Sequence, residues 1–156
     1  MASKHAPSSL TLEKLWQFSL DYYAVHEVKE ACLCLQNHHH GNVNLLLLLK
    51  WLDENKLTIN SADWSCLLTG LQESETLVHA FRDLRRRLKV YLPESLYREA
   101  LQFELCLEKQ QQAELIAWVN QFTLTPNQGQ ALTERYCQQL GAEHLARVFA
   151  LPLAQT

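Results

Sequence analysis

Glycine and proline are scarce in this chain, four of each in 156 residues. Strand-rich domains need frequent turns, and turns draw on those two residues, so the scarcity favours helices. Gly41, Gly70, Gly129 and Gly141 form no GxxxxGK or GxGxxG pattern, which excludes the nucleotide-binding folds that cradle phosphate on a glycine-rich loop. No apolar run, the leucines of Leu45 to Leu49 included, is long enough to span a bilayer. The opening residues MASKHAPSS hold no apolar core of a secretory signal and are not expected to be one. Positive charge is also in deficit, with a formal net charge of -3, so no global field favours nucleic acid or an anionic membrane, and neither is expected as a partner.

Catalytic signatures are missing as well. There is no GxSxG elbow, no CxxC redox pair and no DDxxD cluster, and Asp21, Asp53, Asp63 and Asp83 stand singly. Glu104 and Glu108 are spaced i,i+4 but lack the ExxH partners of a di-iron site. The five cysteines, Cys32, Cys34, Cys66, Cys106 and Cys137, are odd in number and embedded in apolar stretches. That pattern suits reduced thiols in a cytoplasmic protein better than a disulfide framework.

What is present is helical periodicity. Residues 1–9 read as a disordered tail, and 10–156 as one all-α domain, a compact bundle of six to seven helices. The expected helices cover about Thr11–Tyr23, His26–His39, Val43–Glu54, Ala62–Thr69, Gln72–Val90, Pro93–Phe122, a segment opened by a Thr125–Gln128 capping box and closed near Gly141, and Glu143–Leu151. Gly41 is expected as a left-handed stop, with Asn42 or Asn44 capping the next helix. That helix is apolar all round and must be surrounded, so it is the expected centre, with Lys50 snorkelling outward. Gly70 is expected to mark a break or kink between helices, Leu77, Phe81, Leu84 and Leu88 to face inward, and Gln110 to Gln112 to be the weak point of the long helix.

Three features carry candidate chemistry. His38-His39-His40 point about 100° apart on a helix and cannot share one ion. Cys34 and His38 have a two-ligand i,i+4 spacing, but no metal site is assigned and no cofactor is expected. Arg82, Arg85, Arg86 and Lys89 form a cationic ridge suited to an anion or an acidic partner, or to pairing with Glu94, Glu99 or Glu104 of the next helix. Gln36, Asn44 and Glu104 are candidate polar groups of a pocket.

Leu15-Trp16, Phe18, Tyr23, Val28, Cys32-Leu33, Leu35-Gln36, Gly41, Val43-Asn44, Leu46-Leu47 and Trp51-Leu52, with Leu84-Arg85, Arg87-Leu88-Lys89 and Glu104, resemble a family of small proteobacterial all-helical proteins with a domain of unknown function. The resemblance implies a bacterial cytoplasmic protein and an all-helical fold, and transfers no reaction. The leading expectation is therefore a non-enzymatic module that binds another protein through the ridge. The alternative is a small-molecule binder or enzyme with an apolar pocket between helices. Homo-oligomerisation is left open.

Overall fold

The computed structural model describes residues 10–153, so the expected tail of residues 1–9 lies outside the described residues. The fold is all-α. Among the described residues there are seven α-helices: α1 (Leu12–Tyr23), α2 (His26–His39), α3 (Val43–Glu54), α4 (Ser61–Leu88), α5 (Glu94–Val119), α6 (Leu132–Gln139) and α7 (Ala146–Ala150), the last preceded by a 3₁₀ turn, Glu143–Leu145. Two short strands, β1 (Leu57–Thr58) and β2 (Thr125–Pro126), pair antiparallel with Leu57 opposite Pro126. No helix among the described residues is long and apolar enough to cross a membrane.

The centre is α3. Leu45, Leu46, Leu48, Leu49 and Leu52 are fully buried and Leu47 nearly so, each side chain adding about 2 kcal/mol of hydrophobic stabilisation. Helices α1, α2, α5 and α6 surround it, which is why it needs no polar face. Asn42 caps α3, its Oδ1 accepting from Leu45 N at 2.8 Å. The left-handed residue at the preceding stop is His40 (φ 59°), not Gly41. Gly41 serves close approach instead: a Cβ there would stand 2.5 Å from Leu35 Cγ and 3.0 Å from Leu140 Cδ1.

Lys50 does not snorkel. Its side chain is buried, and its Nζ donates to the carbonyls of Phe149 (2.8 Å) and Leu151 (3.0 Å) and pairs with Glu54 at 2.9 Å. The ammonium thus satisfies all three protons inside the fold and ties the C-terminal segment to the central helix. Nor does the Thr125 segment open a helix; it forms β2, and α6 starts at Leu132. With no capping side chain of its own, α6 borrows one from α3. Asp53 accepts from Leu132 N (2.8 Å), Thr133 N (3.1 Å) and Thr133 Oγ1 (2.8 Å).

Gly70 neither breaks nor ends a helix. It lies within the 28-residue α4, where a Cβ would stand 2.5 Å from the Trp118 ring, so the glycine makes room for α5. Helices α4 and α5 form a long antiparallel hairpin, and its faces are turned relative to expectation. On α4 the buried residues are Leu67, Leu71, Val78 and Arg82, whereas Leu77 and Leu84 are exposed. On α5 they are Glu104, Gln111, Gln112, Leu115, Ile116 and Val119, so two of the three glutamines, Gln111 and Gln112, are core and not a weak point, while Gln110 is exposed.

Candidate functional site

The inward stripes of α4 and α5 are apolar at one end of the hairpin and polar at the other. Because the helices are antiparallel, the two polar halves meet beside α1 and the α2–α3 turn. Between them lies a cleft of about 310 Å³.

Its floor is a network of amides. Asn44 Nδ2 donates to Gln111 Oε1 at 2.9 Å, and Asn42 Nδ2 to Glu75 Oε1 at 2.6 Å. Gln111 Nε2 reaches Ser74 Oγ at 3.1 Å. Gln112 Nε2 is shared between Ser19 Oγ (3.0 Å) and Asn44 Oδ1 (3.2 Å), and Ser19 in turn donates to the Leu15 carbonyl at 2.7 Å. Satisfied networks of this kind fix side-chain positions. One acceptor stands apart: Gln112 Oε1 is buried and takes no hydrogen bond among the described residues.

One wall is ionic. Arg85 grips Glu104 with two nitrogens, Nε at 2.7 Å and an Nη at 3.1 Å, and donates a third bond to the Tyr97 hydroxyl at 3.2 Å. Arg82 bridges Glu104 (3.3 Å) and Glu108 (3.2 Å). Burial by itself would raise the Glu104 carboxyl, but hydrogen bonds and charge from Arg85, then Arg82, reverse that and hold it below the usual range. Glu108 goes the other way: burial raises it, the neighbouring Glu104 adds to the rise, and Arg82 offsets only part. Glu75 is likewise raised by burial, with Arg82 and Gln111 offsetting part of the shift. The opposite wall is apolar and aromatic, formed by Trp16, Leu20 and Tyr23 of α1 with Leu33 of α2 and Leu105 of α5.

Gln36, Asn44, Arg82, Arg85, Arg86 and Glu104 all line this cleft. Lys89 does not; its ammonium lies 5.9 Å from the centre of the Tyr97 ring. The four cations do not form one exposed ridge, since Arg82 is buried in ion pairs and Arg86 donates to Asn37 Oδ1 at 3.3 Å. The residues that sequence reasoning missed are Glu75, Glu108, Gln111 and Gln112. The signal was present. The apolar positions Leu67, Leu71 and Val78 continue at helical spacing to Arg82, and Leu115 and Val119 continue backward to Gln111, Glu108 and Glu104. The histidines divide: His38 and His40 are exposed, while His39 is half-buried against His144 with ring centroids 5.4 Å apart.

Comparison with curated proteins and with solved structures finds no match. A family model does match. It covers residues 14–115, a stretch that contains every residue lining the cleft, and the chain belongs to that family, described as "Protein of unknown function (DUF2390)".

Proposed function

We propose that this protein binds a small amphipathic molecule in the cleft, and that the molecule's head carries both a positive and a negative charge. The observation that carries the reading is the meeting of three arginines (Arg82, Arg85, Arg86) and three glutamates (Glu75, Glu104, Glu108) over an amide floor. Equal numbers of each sign give no net attraction for a simple anion or cation, while a zwitterion finds a partner for each end. The uncommitted acceptor of Gln112 adds a place for a ligand N–H or O–H. Trp16, Tyr23 and Leu105 offer the apolar body its contact. The setting that suits this reading is the cytoplasm, where the five cysteines, all free, stay reduced.

The test uses the full-length chain and a panel of aromatic and branched amino acids, with the matching amines and carboxylic acids as single-charge controls. At tenfold excess over Kd a binder should raise the thermal midpoint by about 3 °C, and the zwitterions should exceed their controls. Leu105→Trp, at a half-exposed position on the rim, should fill the cleft and abolish the shift without lowering the midpoint of the free protein. A panel without any shift, or a shift that survives Leu105→Trp, sinks the reading.

A second reading, a protein-interaction module, rests on the hairpin and not on the arginines. Leu77, Val90, Tyr91 and Phe103 are 63%, 81%, 81% and 54% exposed, with Leu84 and Leu96 exposed one or two turns from them. Large apolar side chains left exposed in this number suit an interface. Exposed charges on the same helices are of both signs (Asp83 and Glu99, Arg87 and Arg98), so a second copy can set unlike charges against each other across a two-fold axis. Sedimentation should then show a dimer that Leu77→Glu with Phe103→Glu converts to monomer; a monomeric wild type at high concentration removes the reading.

A further inference from the structure

Away from the cleft, the end of α2 meets the 3₁₀ turn that precedes α7. There Cys34 Sγ and one ring nitrogen each of His39 and His144 all lie within 4.8 Å of one another. Cys34 and His39 are half-buried and His144 is exposed, so solvent reaches the group from one side. The His39 and His144 rings are tilted by 56°. His38, which has the i,i+4 spacing to Cys34, is not in the group; His39, the last residue of α2, is.

We propose that Cys34, His39 and His144 form a three-ligand site for Zn²⁺, with a fourth position left to water. One thiolate and two imidazoles are a borderline-soft donor set, suited to zinc and unsuited to the hard ions Mg²⁺ and Ca²⁺, which call for oxygen ligands. Around a tetrahedral zinc, with bonds of about 2.3 Å to sulfur and 2.0 Å to nitrogen, ligand atoms stand roughly 3.5 Å apart. The observed spread therefore closes with side-chain rotation of about an ångström, which the open side of the site permits. Cys34 loses its proton on binding, the thiol hydrogen passing to solvent, and both imidazoles bind as neutral rings. The ligands come from two elements far apart in sequence, so the ion clasps the C-terminal segment to the end of α2. It does so beside a second tie, the Lys50 ammonium on the carbonyls of Phe149 and Leu151. The third ligand, His144, lies beyond the stretch matched by the family model, which ends at residue 115.

The experiment takes the full-length, untagged chain, stripped with chelator, and titrates it with Zn²⁺ by calorimetry and with Co²⁺ by optical absorption. One equivalent of zinc is expected, with a rise in thermal midpoint of roughly 5 °C at a hundredfold excess over Kd. Co²⁺ should give a thiolate-to-metal charge-transfer band and the visible bands of a tetrahedral ion. Cys34→Ser should remove the charge-transfer band, and His144→Ala, at an exposed position, should weaken zinc binding at least tenfold while helical circular dichroism stays unchanged. The double variant His38→Ala with His40→Ala should bind as the wild type does. A charge-transfer band that survives Cys34→Ser overturns the proposal. So does zinc binding that depends on His38 and His40 but not on His144, or a wild-type Kd weaker than about 1 mM.

Discussion

Glu104 accepts two bonds from Arg85 and one from Arg82, with both guanidinium groups largely withdrawn from water. Replacing it by glutamine removes the negative charge and turns one of the two acceptor oxygens into a donor, so Arg82 keeps its bond to Glu108 while Arg85 keeps the Tyr97 hydroxyl and at most a neutral bond to the amide oxygen. Removing one side of such a buried pair costs about 3 kcal/mol. For a chain of this length that corresponds to a fall in midpoint of roughly 6 to 12 °C at neutral pH. The pH dependence has a definite sign. The Glu104 carboxyl is held below its ordinary range in the folded state, so its contribution is fully present above the unfolded value, about 4.3, and is lost as pH falls through the lower folded value. The raised carboxyls of Glu75 and Glu108 run oppositely, favouring the folded state below their unfolded values and losing that contribution as pH rises. Subtracting the midpoints of wild type and Glu104→Gln cancels the Glu75 contribution and leaves that of Glu104 with its coupling to Glu108: the gap should be wide at pH 7 and narrow towards pH 3. A gap that stays constant with pH would show that the ion pairs contribute nothing through charge.

At the scale of elements, the sequence was legible where apolar residues alone decide the buried face. Helix α3 is the clearest case, because its five consecutive leucines leave no choice of face. The boundaries of α1, α2 and α3 follow for the same reason, helped by an asparagine cap. Helix α5 and the second part of α4 were legible as helices, but the joining of α4 across Gly70 was not, and the buried faces were wrong. These helices carry two competing stripes, and the one richer in large apolar residues, Leu77, Leu84 and Leu88 with Leu96 and Phe103, is the one left half-covered or exposed. The buried stripe is the one that polar residues complete. A rule that assigns the inside by hydrophobicity inverts such a pair, since the energy that holds Arg82 and Gln112 inside comes from partners on another helix. The break expected at Gly70 failed in a related way: a glycine in a helix signals a close neighbour as readily as an end, and the neighbour, Trp118, is nearly fifty residues away. Of the site, Gln36, Asn44 and the arginines were visible as chemistry, whereas their convergence required the antiparallel arrangement of α4 and α5.

On the scale of the whole molecule, Lys50 joins the start of the chain to its end. Its stem runs from the middle of the central helix, its ammonium lies 5.5 Å from the centre of the Tyr22 ring of α1, and it holds the carbonyls of Phe149 and Leu151. Methionine in its place keeps the apolar stem and opens no cavity, so the core of leucines should survive intact. What is lost is local. The Phe149 carbonyl belongs to a buried residue and would have to recruit water, which requires α7 to move outward. Removing the ammonium also removes the cost of burying it, so the global penalty should be small, about 1 to 2 kcal/mol. The expected outcome of Lys50→Met is therefore uneven. Amide hydrogen exchange in α7 should accelerate at least tenfold and proteases should cut between Ala142 and Leu153, while protection in α3 and α5 falls far less. Equal loss of protection throughout would mean that the C-terminal segment unfolds only with the core, and that Lys50 is a core residue like its leucine neighbours and no clamp.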